Sequence, residues 1–245
     1  MNSYKNKLKL FGSIVFVYVM LFEFILPMNK LLPKPTILFE SFLHVWQDYG
    51  LLAGIMITAG TVYFAIGLSL LLLWSLRGTI IKLLLEQKVI FELLQLFKTI
   101  PVFILIVLTA FWFDGSELAK VIFIFVVTMI SLTRVLAKEI FQTKSEYLDI
   151  AKNLNPSKLY SDVYWNSSLP GLLNLAERFQ RILWLIVLSY EFVSVSFGIG
   201  TILRLALLYK DFGAIIVIAI ILTMLIWCGT LVIKFIKKKI AFWES

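Results

Sequence analysis

The sequence is poor in the side chains that most often form covalent links or hold metal ions. It contains one cysteine, Cys228, and one histidine, His44, among its 245 residues. A single cysteine cannot form an internal disulfide, and a structural zinc site usually needs about four cysteine or histidine ligands. The sequence therefore excludes a disulfide-held fold and predicts no Cys/His metal site.

Charged residues are scarce as well. Asp, Glu, Lys and Arg make up 16% of the chain, whereas 60% of it is hydrophobic. A soluble globular domain has about 25% charged and about 50% apolar residues. This composition excludes a water-soluble enzyme and a disordered region, and it predicts an all-α, polytopic integral membrane protein.

Apolar runs predict about six transmembrane helices. A helix needs about 20 apolar residues to cross a bilayer, and the runs cover about residues 10–27, 51–76, 99–113, 118–137, 172–195 and 212–233. Thr36 is expected to cap a short interfacial helix on the periplasmic side, and residues 78–98 to form an amphipathic connector. The tight loop 114–117 turns the chain, and another loop is expected from Gly198 to about Asp211.

The basic residues predict the orientation of these helices. With the N-terminus inside, only five of the 23 lysines and arginines fall in the outer segments, namely Lys30, Lys34, Lys120, Arg204 and Lys210. Cytoplasmic segments carry the excess of basic residues in membrane proteins. We therefore expect a multi-pass protein of the bacterial inner membrane with both termini in the cytoplasm. Because the positive charge is spread over several inner loops, it does not indicate nucleic-acid binding.

The longest polar segment, residues 138–168, follows the fourth predicted span on the cytoplasmic side. A short helix is expected from Tyr147 to Leu154 and to end at Asn155-Pro156, because proline cannot continue it. Ser157 is then expected to cap a second short helix that ends near Asn166. The residues alone leave two interpretations open: a helical knob that docks a partner, or an ordinary solvated loop.

Several segments together resemble the permease subunits of binding-protein-dependent ABC importers. In that family a Glu-Ala-Ala segment is followed by a glycine and then by Leu-Pro. The similar positions here are Asp149-Ile150-Ala151, Asn155 and Leu169-Pro170; further similar segments are Leu32-Pro33-Lys34-Pro35, Ile100-Pro101 with Phe111–Gly115, and Glu191 with Phe197–Gly200. A carboxylate is kept at Asp149, and asparagine is the residue that best replaces glycine in a left-handed conformation. The order of these segments is closest to the sulfonate, taurine and nitrate branch, which also includes thiamine-pyrimidine and riboflavin importers.

The resemblance implies a single transmembrane permease domain over residues 1–245. Residues 1–31 would be an N-terminal anchor span, residues 32–243 the core, and residues 146–166 the region of the coupling helix that contacts an ATPase. The coupling residues implied are Tyr147, Asp149, Ala151, Leu154, Asn155, Leu159 and Tyr160.

The partners implied are an ABC ATPase dimer, a second permease copy or a paralogue, an extracytoplasmic solute-binding protein and membrane lipid. The sequence has no GxxxxGK[ST] phosphate loop, so ATP and Mg are expected on the partner ATPase. The chain itself is expected to be a transport subunit without a cofactor and not an enzyme. The solute would be a small anion or a vitamin precursor.

Four ionisable residues lie on the fifth predicted span, and three of them, Arg178, Arg181 and Glu191, are candidates for the solute path or gate. Glu177 and Arg181 are expected to pair at i, i+4. Arg178 and Arg181 are either anchors at the cytoplasmic surface or groups that attract an anion. Glu191 matches a family position near the external gate. Two alternatives stay open at this point, namely a membrane-embedded enzyme and a passive channel or scaffold subunit without ATP coupling.

Overall fold

The computed structural model describes residues 2–25, 33–97, 99–143 and 162–241, and every regular element within these ranges is helical. In chain order the helices are α1 (Asn2–Val19), which continues as a π-helical segment (Met20–Ile25), α2 (Pro35–Gln47), α3 (Leu51–Ser75), α4 (Arg77–Glu86), α5 (Lys88–Leu96), α6 (Val102–Phe113), α7 (Glu117–Phe141), α8 (Tyr164–Ser194), α9 (Ile199–Leu208) and α10 (Phe212–Ile240). The all-α prediction is confirmed for this part of the chain.

Where the structure describes them, the six predicted apolar runs are helical, but not all of these helices are long enough to cross a membrane. Among the described residues, α3, α7 and α10 are long and apolar enough, and α8 with α9 makes a fourth candidate if that bent pair is one span. Gly12–Ile25 and Val102–Phe113 are shorter apolar helices. With 12 residues, α6 spans about 18 Å, whereas the hydrocarbon core is about 30 Å thick. Six full-length spans are therefore not confirmed.

The chain forms two compact units, one made of Met1–Ala53 and Ile202–Leu222 and the other of Gly54–Thr201 and Thr223–Ser245. In the first unit, Thr36 does not cap α2 as predicted: Lys34 is the N-cap residue and Pro35 begins the helix. A proline is pre-organised for the first helical position, so the helix begins earlier than expected. The Thr36 hydroxyl instead donates to the Glu23 carboxylate at 3.1 Å.

In the second unit, the predicted turn at 114–117 is confirmed. Asp114 is left-handed, Gly115 has a φ of +70°, and the Ser116 hydroxyl caps α7 by accepting from the Ala119 N–H at 3.3 Å. Glycine tolerates a positive φ without the steric cost that a Cβ brings. Three residues, 114–116, thus connect α6 to α7.

The core of the second unit packs α3, α4, α7 and α8 together. Its buried side chains include Leu73, Ile81, Leu136 and Leu172. The predicted amphipathic connector is helical, as α4 and α5.

The helices on either side of the polar segment 138–168 extend further into it than the predicted spans, which end at about residue 137 and begin at about residue 172. Helix α7 continues to Phe141, and α8 begins at Tyr164, so that Pro170 lies inside it. Tyr164, Trp165 and Ser168 are buried. Burial of the two aromatic side chains stabilises the first turn of α8 by roughly 2 kcal/mol per side chain. This gain outweighs the loss of the one backbone hydrogen bond that Pro170 cannot donate.

Candidate functional site

Residues 195–198 interrupt the helix between α8 and α9, and we call this interruption the break. The buried charged side chains of the second unit lie beside it. Val195 ends α8 in the left-handed conformation with a φ of +56°, and Gly198 has a φ of +150°. The loop predicted from Gly198 to Asp211 is wrong, because residues 199–208 form α9. The backbone N–H groups of the first turn of α9 have no partners within their own helix and need other acceptors.

Glu191, near the end of α8, supplies one of those acceptors. It is fully buried, and its carboxylate accepts from the Gly200 N–H at 2.9 Å. The Thr58 hydroxyl of α3 contacts both carboxylate oxygens, at 2.9 and 3.0 Å, and itself accepts from the Ile199 N–H at 2.9 Å. A carboxylate at a helix N-terminus is stabilised by the free N–H groups and the helix dipole. Glu191 and Thr58 therefore hold the start of α9.

Lys120 of α7 neutralises this buried carboxylate. Its side chain has no exposed surface, and its ammonium lies 3.2 Å from Glu191 Oε1 and 2.7 Å from Glu117 Oε2. It also donates to the Phe197 carbonyl at 2.7 Å, so its three donors meet three acceptors. We call Thr58, Glu117, Lys120 and Glu191 the polar clamp.

The polar clamp also binds the backbone of the break itself. The Phe197 carbonyl accepts from Lys120, and the Phe197 N–H donates to Glu117 Oε1 at 2.5 Å. Because one turn of α7 supplies both charges, a movement of α7 along its axis changes both bonds at once. The arrangement therefore links the position of α7 to the conformation of the break.

Two glycines let the backbone approach Glu191 closely. A Cβ at Gly198 would overlap the Glu191 carboxylate, and a Cβ at Gly200 would lie 2.7 Å from the Glu191 Cβ. Such distances leave no room for a methyl group. Gly198 and Gly200 are thus required by the geometry of the polar clamp.

A second polar group, on α8, lies deeper in the same unit. Gln180 is fully buried; its Nε2 donates to Thr230 Oγ1 at 2.6 Å, and its Oε1 accepts from the Tyr63 hydroxyl at 3.4 Å. This group holds α3, α8 and α10 together by hydrogen bonds between neutral side chains. It has the form of the interhelical hydrogen bonds that stabilise packed membrane helices.

The predicted path residues separate into two environments. Glu191 is central to the polar clamp, whereas Arg178 and Arg181 are exposed on α8. Glu177 forms its ion pair with Lys234 of α10, at 3.6 Å, and not with Arg181 as the i, i+4 spacing predicted. The seven predicted coupling residues, Tyr147, Asp149, Ala151, Leu154, Asn155, Leu159 and Tyr160, lie outside the described residues.

Sequence reasoning missed Lys120, Glu117 and the role of Thr58. One signal was present: Lys120 follows Glu117 by three residues at the start of an otherwise apolar run. An ionisable residue at such a place is a functional candidate by default.

Within the described ranges, no group of three or more His, Cys, Asp or Glu side chains is placed to hold a metal ion.

Comparison with known proteins identifies no family for this chain. No protein-family model matches the sequence, and no curated protein matches it with significant similarity. The established properties are therefore an all-helical fold over the described residues, several apolar helices able to span a membrane, and a buried polar clamp at a helix break.

Proposed function

We propose that this chain is the permease subunit of an ATP-driven ABC importer in a bacterial inner membrane. In this role it moves a small solute, either an anion such as a sulfonate, taurine or nitrate, or a vitamin precursor. ATP and Mg bind to a separate ATPase dimer, and a second permease copy or paralogue completes the transmembrane path. An extracytoplasmic binding protein delivers the solute.

The polar clamp is the observation that supports this proposal best. Charged groups in a low-dielectric interior are costly unless they are paired and hydrogen-bonded. Lys120 and Glu191 satisfy this condition only while the break between α8 and α9 keeps its present conformation, since Phe197 and Gly200 supply two of the bonds. An element with such a strong preference for one arrangement suits a gate that is either closed or open.

The resemblance at Asp149-Ile150-Ala151, Asn155 and Leu169-Pro170 supports the choice of an ATPase as the source of energy. These positions precede or begin α8, the helix that carries Glu191 near its other end. A displacement of the start of α8 is therefore transmitted to the break through one continuous helix of 31 residues. Alternating access by this route requires no catalytic group in the chain itself.

Co-purification with an ATPase tests the proposal. The tagged full chain is expressed in its native host, isolated in mild detergent, and its partners are identified by mass spectrometry. We expect a stoichiometric subunit with a phosphate-loop motif, lost in Asp149→Arg and in Leu159→Arg. Glu86→Arg is the matched control for Asp149→Arg, because it makes the same charge change at an exposed position of α4 and should keep the partner. Absence of any ATPase from the wild-type chain, or its retention in both variants, contradicts the proposal.

A further inference from the structure

A cavity of about 380 Å³ lies in the second unit, between α7, α8 and the residues around α6. Its walls are mostly apolar and include Phe123, Val127, Ile130 and Ile182. Ligand-binding cavities commonly have volumes of about 300–1,000 Å³ and are apolar with a few polar groups. We call this space the Arg134 cavity, because Arg134 of α7 is the charged residue among its described walls.

Among the residues that the structure describes, no carboxylate lies within 4.0 Å of the Arg134 guanidinium. Among the described residues it forms no ion pair or hydrogen bond, and the described walls of the cavity contain no acidic side chain. The next acid along α7, Glu139, lies against α8 elsewhere, since a Cβ at Gly171 would be 2.6 Å from its Cδ. The next charged residue towards it, Lys138, is another cation.

Arg134 is partly buried and lines a mostly apolar cavity, and a charged side chain in such surroundings is costly unless an anion accompanies it. Carboxylates and sulfonates match the guanidinium geometry with two parallel hydrogen bonds. We infer that the Arg134 cavity binds a soluble organic anion whose charged group pairs with Arg134 and whose apolar body fills the space against Phe123 and Ile182. This site is distinct from the polar clamp, and it does not depend on the proposed importer function.

Binding of a defined probe tests the inference on the purified full chain in a neutral maltoside detergent. The probe is naphthalene-2-sulfonate, measured by isothermal titration, with the neutral naphthalene-2-sulfonamide for comparison. We expect saturable binding of one sulfonate per chain. Loss of a charge-assisted pair corresponds to about tenfold weaker binding or more, so we expect that loss for the sulfonamide and for Arg134→Gln, with Arg134→Lys intermediate.

Three further variants distinguish the Arg134 cavity from cationic sites elsewhere on the chain. Val127→Trp fills the cavity without changing charge and should abolish binding. Lys82→Gln removes an exposed cation on α4, and Arg181→Gln removes an exposed arginine on α8; both should bind the sulfonate as the wild type does. The thermal unfolding midpoint of each variant shows whether it is folded, and the sulfonamide comparison on the wild type needs no variant.

Each contrary result overturns the inference. No saturable binding, equal affinity for sulfonate and sulfonamide, or unchanged binding in folded Arg134→Gln excludes Arg134 as the anion site. Loss of binding in Arg181→Gln but not in Arg134→Gln moves the site to α8. Displacement of the probe by phosphatidylglycerol in nanodiscs, but not by soluble carboxylates, identifies the occupant as a lipid and contradicts the soluble-anion assignment.

Discussion

Lys120 and Glu191 are the most informative residues of this protein, because both are charged and neither has exposed surface. Pairing alone does not make such residues stabilising. Removing each ion from water costs several kcal/mol, and the attraction between the two ions roughly offsets that cost. The additional bonds to Thr58, Gly200 and Phe197 complete the partners of both side chains. Removing one member of the pair should therefore cost much more than removing both.

Substitution of Lys120 tests this asymmetry. Lys120→Met leaves Glu191 buried without its cation, so we expect the free energy of unfolding to fall by about 3–5 kcal/mol. The double variant Lys120→Met/Glu191→Gln keeps acceptors for Thr58 and Gly200 without a buried charge, and it should recover most of the loss. Unfolding in mixed micelles with increasing SDS measures both values.

The matched control is Lys82→Met on α4. Lys82 is 62% exposed and pairs with Glu86 at 3.9 Å, so its loss should cost about 0.5 kcal/mol or less. Equal destabilisation by Lys82→Met and Lys120→Met, or a double variant no better than the single one, would show that the buried pair has no special weight.

At the scale of elements, the break between α8 and α9 depends on glycines as much as on charge. Gly198 has both a φ that other residues rarely adopt and no space for a Cβ beside the Glu191 carboxylate. Gly67 in α3 differs in both respects, since nothing lies within 4 Å of the position of its Cβ. The two glycines therefore form a matched pair for the same substitution.

Gly198→Ala should lower the free energy of unfolding by about 1–3 kcal/mol from overpacking alone, with the strained φ adding to it. Gly67→Ala should leave the stability unchanged or raise it by up to about 1 kcal/mol, because alanine is the better helix former. The same SDS unfolding assay measures both. A neutral Gly198→Ala would mean that the break relaxes without losing the polar clamp.

The elements that sequence predicted correctly are those fixed by local chemistry. The apolar runs became helices, and the turn at Asp114–Gly115 follows from left-handed conformations that these two residues accept. The early start of α8 was not predictable in this way, because it depends on burial of Tyr164 and Trp165 against other helices. Likewise, the resemblance to a family position identifies Glu191, whereas its partners Lys120 and Thr58 lie 71 and 133 residues away in sequence.

At the scale of the whole molecule, α6 is one of the helices on which the number of membrane crossings depends. Six crossings require this 12-residue helix and its flanking residues to traverse the bilayer. The distribution of lysine and arginine favours that arrangement, because it places α4 inside and the 114–117 turn outside. The length of α6 alone favours a helix that does not cross.

Labelling of single cysteines tests the crossing. In a Cys228→Ser background, an impermeant maleimide should label Asp114→Cys in intact cells, and it should label Glu86→Cys only after permeabilisation. Both positions are in exposed segments of the second unit. Labelling of both from the same side would contradict six crossings and would show that α6 returns to the side from which it entered.

At Phe197 the backbone is fixed by hydrogen bonds to the polar clamp, whereas the residue is largely exposed. Its N–H and carbonyl are held by Glu117 and Lys120, while the residue as a whole is 71% exposed. Backbone groups are the same in every residue except proline, which lacks the N–H. The side chain at position 197 can therefore be replaced by one of another size, polarity or charge, in evolution or by design, while the backbone hydrogen bonds to the polar clamp are kept.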